Sequence, residues 1–275
     1  MSEEGYFDRI IQTEVHQTAP IVYEAAKRAL ADENGVYNAS LVHEEEPHVN
    51  LGRALETIPG IDEDLQFRRP GGGGYIVHDG SNSEGTYCFI DARVKNGPKE
   101  QFSREREMMA QRTLDALADS YTTGIRDGSF LLTPDGDEII EEPKETAYYD
   151  PDEGDIYLQQ GPMPRYEDPQ IAGIGLAEVE IEDRWIQIGR VCIYPEISDE
   201  AVDLDREIRE NLELEESRSL DKRVEVPEDL DSVKAVLEDR NTRTINAQEF
   251  LSSESIERGM ELHQRTGYRS ADPCF

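Results

Sequence analysis

Lysine is scarce in this chain. Only Lys27, Lys95, Lys99, Lys144, Lys222 and Lys234 occur, and the remaining strongly basic side chains are arginines. Positive charge is short overall, with 28 Lys+Arg against 61 Asp+Glu and a formal net charge of -33 over 275 residues. That deficit argues against a nucleic-acid groove, which needs clustered cations to neutralise phosphates. Long apolar runs are missing too. The runs present are short, Phe130–Leu132 for one, so no membrane-spanning helix is expected. The N-terminus lacks a basic start and an apolar stretch, so no signal peptide is expected and synthesis is placed in the cytoplasm. Cysteine is limited to Cys88, Cys192 and Cys274. Three widely spaced thiols make neither a disulfide framework nor a zinc pattern. Hydrophobic residues reach 36%, under the usual ~45–50%, which predicts a modest core or apolar surface completed by neighbouring subunits.

What is abundant is carboxylate, spread evenly rather than gathered in a tail. In dilute salt such a surface repels itself. In molar salt the Debye length falls to about 3 Å and the repulsion fades. The composition resembles that of salt-in halophiles, chiefly halophilic archaea and their viruses.

Periodicity predicts an α+β chain: an antiparallel sheet packed by one long helix, with helical segments at both ends. Residues 1–33 read as a helical arm, 34–195 as the α+β core and 196–275 as a helical extension. Phe7, Ile10, Ile11 and Val15 recur at helical spacing, as do Ile21, Val22, Ala25, Ala26 and Ala29 before Asn34–Gly35. Val36–Val42 suits a strand. Tyr75–His78 and Thr86–Val94 flank a turn-rich segment and are expected to pair as a hairpin. A helix is predicted from about Glu100 to Tyr121. Strands follow at Ser129–Leu132, Thr146–Tyr149, Asp155–Leu158 and Ile174–Ile181. Beyond Pro195, Ser198 caps a helix running to about Glu216, Pro227 opens another with Leu230, Val233, Val236 and Leu237 as its stripe, and Ala247–Gln264 is a third.

Few residues here carry recognisable chemistry. Gly71–Gly74 is rich enough to cradle phosphate, but no Lys-Ser/Thr follows and a strand comes next, so a turn is the expected reading. Asp79, Asp91 and Arg93 ahead of a long helix resemble the core of PD-(D/E)xK nucleases, whose carboxylates hold magnesium. Arginine stands where that family has lysine, and it cannot give up its proton to act as a base. His43 and His48 flank Glu44–Glu46 in a pattern that suits a metal, although a solvated acidic loop is the plainer reading. No catalytic residue, cofactor or metal is expected, and the leading reading is a non-enzyme. A magnesium nuclease and a non-catalytic halophile binding module are the alternatives.

The order of elements resembles the tail-completion (tail terminator) proteins of long-tailed viruses. Thr86–Val94, Phe102–Ser120, Ser129–Leu132, Thr146–Leu158 and Gly175–Arg184 carry the likeness, which covers roughly residues 10–185. Length and the helices after Ser198 depart from that pattern. The resemblance implies a virion neck or tail protein, a hexameric ring former whose partners are itself and other tail or neck chains. It implies no membrane or nucleic-acid partner. Phe7, Ile10, Ile11 and Val15 are the expected ring interface.

Overall fold

A computed structural model of the chain describes residues 6–44, 46–52, 55–68, 74–79, 87–95, 102–128, 130–133, 146–159, 168–193, 197–213, 230–238 and 241–264. Its frame is a strand-rich centre. β6 (Tyr87–Val94) pairs antiparallel with β2 (Val36–His43) on one side and β12 (Arg184–Ile193) on the other. Successive β6 residues face opposite sides of the sheet. Tyr87 and Phe89 enter one core cluster, while Cys88, Ile90 and Ala92 enter another. Burial on both faces explains why the strand reads as a nearly continuous apolar run.

Each face is closed by a helix. α1 (Thr18–Ala31) lays Ile21, Val22, Ala25, Ala26 and Ala29 on the Cys88 face. Gly35, at φ +70, allows the exit from α1, and its backbone carbonyl accepts from Val94 N at 2.8 Å. α2 (Phe102–Leu117) lays Met109, Ala110, Leu114 and Leu117 on the Phe89 face. One long helix on one face was the expectation. Two helices on opposite faces are observed.

The sheet is also mixed rather than antiparallel. β1 (Phe7–Gln12) lies between β2 and β13 (Thr242–Asn246), parallel to both. β11 (Gln170–Ile181) continues the sheet beyond β12, followed by β10 (Asp155–Gln159), β9 (Thr146–Asp150), β7 (Thr122–Asp127) and β8 (Phe130–Leu132). β7 runs parallel to β9. The class remains α+β, with ten strands in this sheet among the described residues. The segment read as the start of a helical arm is therefore strand β1. Phe7 and Ile10 are buried within the chain's own sheet, Ile11 and Val15 are half-buried, and the four make no exposed helical stripe.

A second sheet takes the order β4 (Gln66–Arg68), β3 (His48–Leu51), β5 (Tyr75–His78). β5 thus pairs with β3 and not with β6, against the expected hairpin, because the chain leaves this sheet before entering the large one. α3 (Asp199–Leu212) covers it with Ala201, Leu204 and Ile208 against Val49, Leu51 and Val77. Ser198 caps α3 as expected, its side chain accepting from Ala201 N at 3.2 Å. α4 (Leu230–Leu237) packs on α2, where Arg112 donates to the Leu237 carbonyl at 3.0 Å. The short α5 (Ala247–Phe250) leads to α6 (Ser253–Gln264), which packs on α1. Among the described residues, no helix is long and apolar enough to cross a membrane.

Glu24 fastens α6 to α1. Its carboxylate accepts from Ser252 Oγ at 2.8 Å, Ser255 Oγ at 2.5 Å and Arg28 Nε at 3.2 Å. Burial pushes the carboxyl up, but these three donors outweigh it and hold it below the usual carboxylate range. A depressed native value means the stabilisation is present above the unfolded-state value of about 4.3 and disappears as pH falls through the native one. Glu24→Gln is therefore expected to flatten the acid limb of the stability–pH curve, read from denaturation midpoints in molar KCl at stepped pH. An unchanged limb would mean that these contacts do not favour the ionised form.

Candidate functional site

Two polar sites interrupt the packing. The first is a cleft between α2 and the large sheet, with a cavity of about 140 Å³. Its floor is apolar, with Met109, Leu176 and Leu237 among its lining. Gly189 makes this approach possible, since a Cβ there would sit 2.1 Å from Met109 Sδ. The rim is charged. Arg93 donates twice to Asp91, Nε to Oδ1 and Nη2 to Oδ2, both at 2.8 Å, a bidentate pair. Beside it, Lys95 pairs with Glu178, both side chains largely buried. Glu105 reaches the rim from α2. Burial pushes its carboxyl up, against the lowering fields of Lys95 and Arg93. An apolar floor under a rim of paired charges is the ordinary makeup of a small-molecule site.

The second site lies where the chain crosses between the two sheets. Among the described residues two such crossings occur, from β2 to β3 and from β5 to β6. Residues at their four ends converge: His43 closes β2, His48 opens β3, His78 closes β5 and Cys88 is the second residue of β6. Cys192 joins them from β12, directly opposite Cys88 in the register. All five are buried. The imidazole centroids stand 4.5 Å apart for His43 and His78, 5.2 Å for His48 and His78, and 5.6 Å for His43 and His48. Cys88 Sγ lies 3.7 Å from His43 Nε2 and 2.8 Å from Cys192 Sγ. Asn50 Nδ2 donates to His78 Nε2 at 3.2 Å, and Arg190 Nη2 to Cys88 Sγ at 3.5 Å. Burial, then Cys192, push the Cys88 thiol well up, although Arg190 opposes them.

These placements redistribute the residues singled out from sequence. Asp91 and Arg93 share the cleft rim, but Asp79 does not join them. It is buried at the end of β5 in the small sheet, where it accepts from the Ser198 backbone N–H and from Ser198 Oγ. Holding the cap of α3 is its visible work, so the nuclease reading loses its second carboxylate. His43 and His48 do come together, through their place at a sheet crossing rather than through Glu44–Glu46. His78, Cys88 and Cys192 were not grouped with them, because only the fold makes neighbours of positions this scattered. Gly71–Gly73 fall outside the described residues. Gly74 is described, and its carbonyl accepts from Gly52 N at 2.9 Å.

No protein-family model matches the chain, and a comparison with curated proteins finds no match. Solved structures do match. A chain from the structure of a bipartite lipoate protein ligase and its E2 lipoyl domain from Thermoplasma acidophilum superposes with a TM-score of 0.52 at 13% identity, covering 95% of this chain and 93% of that one. A lipoate-protein ligase A bound with ATP gives a TM-score of 0.52 at 14% identity, covering 94% and 95%. The matches span both chains nearly end to end, including the segments after Ser198 that the tail-terminator pattern left without a counterpart. They overturn the tail-terminator resemblance, and with it the virion role, the non-enzyme reading and the expected ring and tail partners. The chain has the fold of lipoate-protein ligases.

Proposed function

We propose that this protein is an ATP-dependent ligase of the lipoate-protein ligase kind, joining a carboxylic acid to an amine on an acceptor protein. The observation that carries the reading is the two-way coverage of the match, because a shared module inside unrelated chains would leave one partner mostly uncovered. A fold alone does not assign a function, so the chemistry of the cleft matters. Its apolar floor suits an acyl chain, and its charged rim suits the polar head of such a molecule. Arg68 ends β4, and the sequence from there to Gly74 holds two arginines and four glycines. Guanidinium groups and unobstructed backbone N–H groups are the usual recognition elements for phosphate, as an ATP-using enzyme requires. By the names of the matched structures, the first compounds to try are lipoate as the acid and a lipoyl domain as the acceptor.

The test uses the full chain in molar KCl with magnesium, ATP, lipoate and a lipoyl domain. The expected result is an ATP- and lipoate-dependent mass gain on the domain, accompanied by pyrophosphate release. Because one matched system is bipartite, the assay is run alone and with a candidate accessory chain from the same source. Failure to activate lipoate or any other medium-chain carboxylic acid in either format would overturn the reading.

A further inference from the structure

We propose that His43, His78 and Cys88, with Cys192 as the fourth ligand, form a zinc site that clamps the small sheet to the large one. Nitrogen and sulfur donor atoms of His43, His78 and Cys88 all lie within 4.8 Å of one another. A tetrahedral zinc, with Zn–N about 2.05 Å and Zn–S about 2.3 Å, sets an N–S edge of about 3.6 Å. The observed His43 Nε2 to Cys88 Sγ distance is 3.7 Å, so this edge needs no rearrangement. Cys192 Sγ sits 2.8 Å from Cys88 Sγ, and the two thiols must part by about 1 Å to span an S–S edge. Cys192 stands outside the 4.8 Å group, so it reaches the fourth position only by turning about its χ1 toward the imidazoles as it leaves Cys88.

Three features favour a metal over incidental packing. First, the donor set is soft and borderline, imidazole plus thiolate, the combination that suits zinc and disfavours magnesium or calcium. Second, the ligands come from β2, β5, β6 and β12, and three of them, His43, His78 and Cys88, stand at the sheet crossings. A metal here would therefore add a direct link between the two sheets at the points where the chain passes from one to the other. Third, all the ligands are buried together, so water does not compete with the imidazole and thiol donors for an ion. With Cys192 drawn in, four protein ligands leave no open position, which makes the site structural rather than catalytic. Binding displaces the Cys88 and Cys192 thiol protons to solvent, and Arg190 beside Cys88 favours the resulting thiolate.

This inference is independent of the ligase reading, and its test reads no activity. The full chain is purified under reductant, stripped with chelator and refilled with one equivalent of cobalt(II) in molar KCl. The expected result is one tightly held ion per chain, with the intense visible bands of a tetrahedral site and a thiolate-to-cobalt charge-transfer band. Zinc should erase both. Cys88→Ser is expected to release the ion or to weaken the charge-transfer band by about half, the band left by Cys192, whereas Cys274→Ser leaves both unchanged. The unsubstituted chain carries the main readout, so a misfolded variant does not leave the question open. Weak pink cobalt without charge transfer would mean surface carboxylates alone, and would overturn the proposal. So would a Cys88–Cys192 disulfide in the protein purified under reductant.

Discussion

Gly259→Ala is expected to destabilise the protein by about 3 kcal/mol, at the upper end of what overpacking usually costs. Gly259 is buried in α6 where that helix meets the start of α1. A Cβ there would lie 2.4 Å from Pro20 N and 2.5 Å from Pro20 Cα. Those are backbone atoms of a proline in the first turn of α1, so neither can rotate away. In an isolated helix the same change would gain about 1 kcal/mol of propensity, and the predicted sign is therefore opposite to the local one. Gly189→Ala provides the contrast. Its new Cβ would meet Met109 Sδ at 2.1 Å, a closer approach, but to the end of a flexible side chain that can swing into the cleft. The larger loss is expected at Gly259. Urea midpoints in molar KCl compare the two variants, and hydrogen exchange reports whether α6 opens first. An unchanged or raised midpoint for Gly259→Ala would mean that α6 does not press on α1 as described.

Asp8→Ala is expected to cost about as much, roughly 3 kcal/mol, the low end for breaking a buried charge pair. Asp8 sits on β1 with its side chain almost wholly buried. It accepts from Tyr37 Oη at 2.6 Å, Arg28 Nη1 at 3.1 Å, and Arg243 Nε and Nη2 at 2.9 and 2.7 Å. One carboxylate thus ties β1 to α1, β2 and β13. Burial and the neighbouring Asp8 together push the Tyr37 hydroxyl well above its ordinary range, which keeps it a donor. Both arginines retain partial solvent access, so water recovers part of the loss, hence the low end of the range. Asp8→Asn keeps the shape and removes the charge, and should fall between wild type and Asp8→Ala. Arg206→Ala, at an exposed pair with Asp203, should change stability by under about 1 kcal/mol. Equal effects at Asp8 and Arg206 would show that the buried node contributes nothing special.

Features with local causes were legible in the sequence. The β9–β10 hairpin follows from its Pro-Asp-Glu-Gly turn, where Gly154 takes φ +84. The cap at Ser198 and the apolar stripe of α2 are similar cases. Pairing partners were not legible. Periodicity says which residues share a face but not which strand lies alongside, so β5 was matched to its neighbour in sequence rather than to β3. β1 was misread because Phe7, Ile10 and Ile11 fit helical spacing over a segment too short to discriminate. Of the cleft, Asp91 and Arg93 were picked out as a magnesium motif, and the structure keeps the pair while removing Asp79 from it. Of the histidine–cysteine cluster, the close spacing of His43 and His48 was visible, but His78, Cys88 and Cys192 carry no spacing signal and join them only after two sheets have closed on each other.

The pairing of β1 with β13 also sets an order of events during synthesis. Asp8 and Arg243 are 235 residues apart in the chain, yet they belong to neighbouring strands. A ribosome must release Arg243 and everything ahead of it before this edge can form. Contacts of such long range raise the contact order and slow folding. Until β13 arrives, the outer side of β1 is an unpaired strand edge, the kind of template on which other chains add. The interval between emergence of the first strand and release of the last is when this protein is most exposed to aggregation.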